Sequence, residues 1–183
     1  EAIGFEKAGI FRAGRPAIVG DAKPPQSLLD HAKSIDTELQ VMGQNFGYMA
    51  EPGQWIWWGR RGRRGGLAYP ALRGAIQLAN ASTAIAGLEA LADRLPVSMQ
   101  DIRRGLIEVE LPGRFQVLPG RPTVVLDVGH NPQAAGVLAD NLGGMVFHPE
   151  TLAVFGMLAD KDIAGVIERV KGRVDRWFVA TLP

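Results

Sequence analysis

Two short polar segments of this 183-residue sequence hold residue types that could do chemistry. The first is Asp127-Val128-Gly129-His130-Asn131-Pro132, which follows the β-branched apolar run Thr123-Val124-Val125-Leu126. That run reads as a strand, and the spacing after it predicts a helix from Pro132 to Leu142. Ligands of open α/β sheets sit beyond the carboxyl ends of the strands. Asn131 can cap the helix and Pro132 suits its first turn, which leaves backbone N–H groups beside His130 in a disposition that suits a phosphate. Asp127, at the strand end, could hydrogen-bond ribose hydroxyls. The second segment, Gly156-Met157-Leu158-Ala159-Asp160-Lys161-Asp162, is another polar turn entering a helix, and Lys161 there could neutralise an anion. A plainer reading stands beside both. Asp-x-x-His-Asn-Pro is also what a well-capped turn needs, and Asp160 could be no more than a helix N-cap. Arg114, in Pro112-Gly113-Arg114-Phe115, is by itself an ordinary solvated charge.

The arginines of Gly59-Arg60-Arg61-Gly62-Arg63-Arg64-Gly65-Gly66 invite a nucleic-acid reading. Charge argues against it: 20 Lys and Arg against 19 Asp and Glu leave a net +1, so no bulk field favours an anionic polymer or membrane. The tryptophans before this segment read as hairpin packing rather than a stacking ladder. His31 and His148 have no partner pattern. No Gly-x-x-x-x-Gly-Lys-Ser/Thr occurs, nor a His/Glu metal pair at helical spacing, nor a Gly-x-Ser-x-Gly elbow. There is no Cys, which removes disulfides, thiolate metal sites and cysteine nucleophiles together and fits a reducing compartment.

The elements that must position these residues follow from patterning. Glu6 to Arg12 starts as helix and is broken by Gly9. Ala17-Ile18-Val19-Gly20 reads as a short buried strand, and Gln26 to Ile35 as a helix opened by Pro24-Pro25. Residues 39 to 70 read as β structure, with Trp55-Ile56-Trp57-Trp58 in a hairpin whose tip is the glycine-rich segment. Helical spacing runs from about Ala75 to Leu95, ended by Pro96, and Ser98 with Asp101 can cap a second helix reaching Gly105. From Thr123 onward, strands at 123–128, 152–156 and 177–180 alternate with helices at 132–142 and 162–170, which predicts a parallel sheet covered by helices. A domain boundary is expected at Glu110-Leu111-Pro112-Gly113. The composition, 46% hydrophobic and 21% charged, is that of a globular protein. No apolar run approaches the roughly 20 residues that span a bilayer. The chain opens at Glu1 and closes at Pro183 inside sequence that reads as structured, so a piece of a larger protein is expected.

Four segments together resemble a known family. Glu6-Lys7-Ala8-Gly9-Ile10-Phe11-Arg12, Leu111-Pro112-Gly113-Arg114-Phe115-Gln116, Asp127-Val128-Gly129-His130-Asn131-Pro132-Gln133-Ala134-Ala135 and Gly156 to Asp162 look, in order and spacing, like the bifunctional dihydrofolate synthase/folylpolyglutamate synthases of the Mur ligase superfamily. The resemblance implies an α/β chain: residues 1–110 as the end of a P-loop ATPase domain with a β-hairpin, and 111–183 as an incomplete Rossmann-like carboxy-terminal domain with a mainly parallel sheet. It implies a cytoplasmic, monomeric ligase using ATP and Mg2+ to join L-glutamate to dihydropteroate and to folates through an acyl phosphate, with no nucleic-acid or membrane partner. By the same resemblance Lys7 matches a lysine carbamylated in the family, able in that form to support a magnesium ion. Asn80 matches an asparagine near the adenine, Arg114 an arginine reaching the ATP phosphates, and Asp127 an aspartate on the nucleotide. His130, its neighbour in the motif, joins Lys7 as a catalytic candidate. Asp160, Lys161 and Asp162 face the cleft. Gly129 departs from the family, where alanine is commoner. The alternatives are a Mur-type ligase of cell-wall synthesis, or a non-catalytic nucleotide-binding module on the same fold. These residues alone, without a P-loop, are expected to show no ligase turnover.

Overall fold

A computed structural model describes residues 1–74 and 76–182. They form two compact units: residues 1–71 with 77–109, and the remaining described residues.

The first unit begins with helix α1 (Ala2–Ala8), strand β1 (Pro16–Val19), helix α2 (Gln26–Ser34) and strand β2 (Glu38–Val41). β1 and β2 pair in parallel from Pro16↔Glu38 to Val19↔Val41, so α2 is a crossover. Leu28 and Ala32 form the buried face of α2, and Leu28 packs with Val19 and with Ala8 of α1. Gly4 allows α1 to come close, since a Cβ there would lie 2.7 Å from Pro25.

An antiparallel meander follows, with strands β3 (Gly47–Glu51), β4 (Gln54–Gly59) and β5 (Gly62–Leu67). Trp55 and Trp57 of β4 are fully buried and packed with Phe46, Leu67, Ile85, Ile102 and Leu106. Their indole N–H groups donate to the Ala68 and Ser82 carbonyls at 2.9 and 3.1 Å, so neither buried donor is wasted. The glycine-rich segment is not the hairpin tip: only Arg60-Arg61 turns, and Gly62–Leu67 is strand β5. The arginines also have partners. Arg60 pairs with Glu38, Arg61 with Asp93 at 2.9 Å, and Arg64 lies near Glu89 and over the Trp57 ring.

Helix α3 spans Gln77–Ala90, within the helical run expected from 75 to 95; Ala75 lies outside the described residues. Helix α4 (Met99–Glu108) outruns the expected end at Gly105 by three residues. Its capping box is complete. Ser98 Oγ accepts the Asp101 N–H at 3.1 Å, and Asp101 Oδ2 accepts the Ser98 N–H at 3.0 Å.

The second unit holds strand β6 (Gln116–Leu118), strand β7 (Val124–Leu126), helix α5 (Pro132–Gly143), strand β8 (Leu152–Phe155), helix α6 (Ile163–Val170) and strand β9 (Arg176–Val179). β8 and β9 pair in parallel across the α6 crossover. Ala135, Val166 and Val170 pack with Phe155 and Trp177, whose rings meet edge to face at 5.7 Å. The chain is thus α/β with parallel pairing. The expected parallel sheet is not continuous: β8 and β9 form one two-stranded parallel sheet, while β7 pairs antiparallel with β6 in another.

Candidate functional site

The end of β7 supplies the best-defined polar geometry of the second unit. Asp127 Oδ2 accepts the Phe115 N–H at 2.9 Å, and Oδ1 accepts the Gly129 N–H at 2.7 Å. The Val128 N–H donates to the Gly113 carbonyl at 2.8 Å. Two motifs separated in sequence are therefore one structural piece: the turn carrying Arg114 is fastened to the loop carrying His130. Each carboxylate oxygen retains a further lone pair, and Asp127 is exposed, so it remains an anionic acceptor of fixed orientation. Arg114 is exposed too, and its guanidinium has no hydrogen bond or ion pair among the described residues. The turn fastened to this held carboxylate thus carries a cation without a partner.

His130 is exposed, with Nδ1 3.2 Å from the Val128 carbonyl. A carbonyl only accepts, so this contact assigns the proton to Nδ1 and leaves Nε2 for a ligand. Asn131 Oδ1 caps α5 by accepting the Ala134 N–H at 2.8 Å, with Pro132 at the first helical position. A helix start of this kind, with His130 just before its cap, can receive a phosphate.

The second polar turn corrects one expectation. The N-cap of α6 is Asp162, which accepts the Gly165 N–H at 2.9 Å; Asp160 instead pairs with Lys161 at 2.8 Å. The Lys161 hydrogen bond, reinforced by its charge and more weakly by that of His130, holds the Asp160 carboxyl below its ordinary range. Lys161 is not an unpaired cation.

Arg114, Asp127, His130, Asp160 and Lys161 thus gather in the second unit, with Asp162 in the adjacent cap. Lys7 and Asn80 belong to the first. Lys7 lies on the open face of α1, with Nζ 3.6 Å from the Glu6 carboxylate, and Asn80 Nδ2 donates to Gln77 Oε1 at 3.1 Å on α3. Among the described residues no group of three His, Cys, Asp or Glu side chains could hold a metal ion. Sequence reasoning passed over Gln116, whose Oε1 accepts the Gly113 N–H at 3.1 Å, and Phe115, buried with φ at +48°. Nothing in the residue types announces either role.

Residues 113–183 match the family model for the glutamate ligase domain of Mur ligases. Proteins similar to the chain over its whole length include several named dihydrofolate synthase/folylpolyglutamate synthase. The Escherichia coli protein of that name is 40% identical over 182 residues, which cover 100% of this chain and 42% of the relative. The structure of E. coli FolC in complex with ADP superposes with a TM-score of 0.90 at 40% identity, over 100% of this chain and 43% of that one. A bifunctional folylpolyglutamate synthase/dihydrofolate synthase with Mn, AMPPNP and L-glutamate bound gives a TM-score of 0.86 at 38% identity, over 100% and 43%. The chain thus spans about two-fifths of the length of the relatives it matches. Among the described residues no helix is long and apolar enough to cross a membrane.

Proposed function

We propose that this chain is part of an ATP-dependent ligase that joins L-glutamate to dihydropteroate and to folates. The observation that carries the reading is similarity to proteins of that name over the entire chain, at 40% identity. The geometry around Asp127 supports it. Asp127 takes the ribose hydroxyls, and Arg114 and the start of α5 take phosphate oxygens. His130 Nε2, turned outward by the Nδ1 contact, hydrogen-bonds a phosphoryl oxygen when the ring is protonated. ATP, as co-substrate, supplies the phosphate that turns an unreactive carboxylate into an acyl phosphate, which the glutamate amine then displaces. The Arg114 charge offsets the negative charge that crowds at such a centre.

Magnesium does not fit this chain's described residues as a complete site. They offer no cluster of three ligands, and Lys7 is a cation paired with Glu6. Only as a carbamate would Lys7 become anionic and able to support a metal held mainly by other groups. The reading takes the protein to be a cytoplasmic monomer acting on small molecules and not on nucleic acid.

Incorporation of labelled glutamate by the intact protein is the test. ATP-dependent transfer to dihydropteroate or tetrahydrofolate is expected, with none to a UDP-sugar peptide. The reverse preference would overturn the assignment in favour of cell-wall synthesis.

A further inference from the structure

We infer that Gln116 is a positioning residue for Arg114, setting the turn from which the guanidinium reaches the nucleotide phosphates. The inference rests on the nucleotide-site reading above and deepens it.

Arg114 is flanked by two residues in the left-handed region, Gly113 at φ +71° and Phe115 at φ +48°. Glycine suits the first position, since its φ strains other residues and a Cβ there would lie 2.7 Å from Val128 Cγ1, which would have to shift. Phenylalanine at the second is strained, and its buried ring must hold it there. Each flanking peptide is then fastened through its N–H to one side chain. Phe115 donates to Asp127, and Gly113 to Gln116 Oε1 at 3.1 Å. The Gly113 carbonyl is already taken by the Val128 N–H, so Gln116 satisfies the remaining polar group of a buried glycine. Gln116 is itself held in register opposite Leu126, the residue before Asp127. A continuous path therefore runs from β7 through Gln116 and Gly113 to the Arg114 backbone. The Arg114 side chain itself has no partner among the described residues. Asp127 is assigned a direct contact with the nucleotide, whereas Gln116 is assigned none, so Gln116 isolates the positioning effect.

The experiment is a double-mutant cycle on ADP affinity in the intact protein, using Gln116→Met, Arg114→Met and the pair. Gln116→Met keeps the side-chain length and removes the acceptor. It should weaken ADP binding about tenfold, the size expected from loss of one hydrogen bond. In the Arg114→Met background the same change should alter affinity by less than about twofold, because its target is gone. Equal weakening in both backgrounds would mean that Gln116 acts on the fold in general, and would overturn the inference. Unchanged affinity in Arg114→Met alone would overturn it too, while leaving a nucleotide site in place. Failure of the native protein to bind ADP would defeat the site reading itself. Should Gln116→Met not fold, amide exchange in the native protein decides the matter. ADP should slow exchange at the Gly113 N–H, and an unaffected rate would count against the coupling.

Discussion

Asp127 combines two tasks that compete for the same atoms. A carboxylate can accept from two backbone N–H groups and still face a ligand, because each oxygen has two acceptor directions. An amide cannot. Asp127→Asn keeps the shape but supplies one oxygen for the Phe115 and Gly129 N–H groups, and turns an NH2 toward the other. Amide exchange should therefore quicken about tenfold at one of those two residues and stay near native at the other. Uniform quickening across β7 would show that the strand depends on the carboxylate more broadly than this geometry requires. The residue scale is also where sequence reading reached its limit. Asn131 was legible as a cap because residue type and following proline agree. Asp160 and Asp162 are both competent caps, and only the observed start of α6 at Ile163 selects Asp162. The left-handed backbone of Phe115 had no signal at all, since phenylalanine ordinarily avoids that region.

Among the elements, those with one dominant pattern were legible. β1, β7, β8 and β9 are short apolar runs with clear boundaries, and each formed within a residue or two of its expected place. β5 was not legible, because Gly62-Arg63-Arg64-Gly65-Gly66 has almost no strand propensity. Its partner decides the outcome: β4 is anchored by Trp55 and Trp57, and β5 pairs along it. β6 is three residues long, too short for any alternation to show. Helix α4 illustrates the opposite case, a start legible in two residues. The Ser98 hydrogen bonds hold the Asp101 carboxyl below its ordinary value. A carboxyl whose folded value is depressed stabilises above its unfolded value and ceases to do so as pH falls through the folded one. Ser98→Ala should thus lower the melting temperature by roughly 4 °C at neutral pH. The gap between native and Asp101→Asn should narrow well below about pH 4, where the native carboxyl becomes protonated. Thermal melts at the two pH values check this, and a gap independent of pH would mean that the carboxylate charge plays no part in the cap.

For the whole molecule, charge and motif content say more than any single site. The arginines of the β4–β5 hairpin are largely spent on Glu38, Asp93 and Glu89, which tie the hairpin to β2 and α3. Their concentration in sequence therefore serves the first unit's own packing, in keeping with a net charge of +1. The nucleotide-binding candidates are distributed otherwise: Arg114, Asp127 and His130 gather in the second unit, while Lys7 and Asn80 belong to the first. On the proposed function, these 183 residues would hold recognition rather than the complete chemistry of phosphoryl transfer. They contain no Gly-x-x-x-x-Gly-Lys-Ser/Thr cradle, and the described residues offer no cluster of three metal ligands. Catalysis of this kind depends almost entirely on positioning and on neutralising charge at the transferred phosphoryl group, which such a cradle and its metal provide. The 183-residue polypeptide, purified to homogeneity, should therefore incorporate no labelled glutamate into dihydropteroate or tetrahydrofolate above a blank lacking ATP. Sustained ATP-dependent incorporation would instead mean that Arg114, His130 and the start of α5 suffice to activate the carboxylate, and the division between recognition and chemistry drawn from the motifs would have to be abandoned.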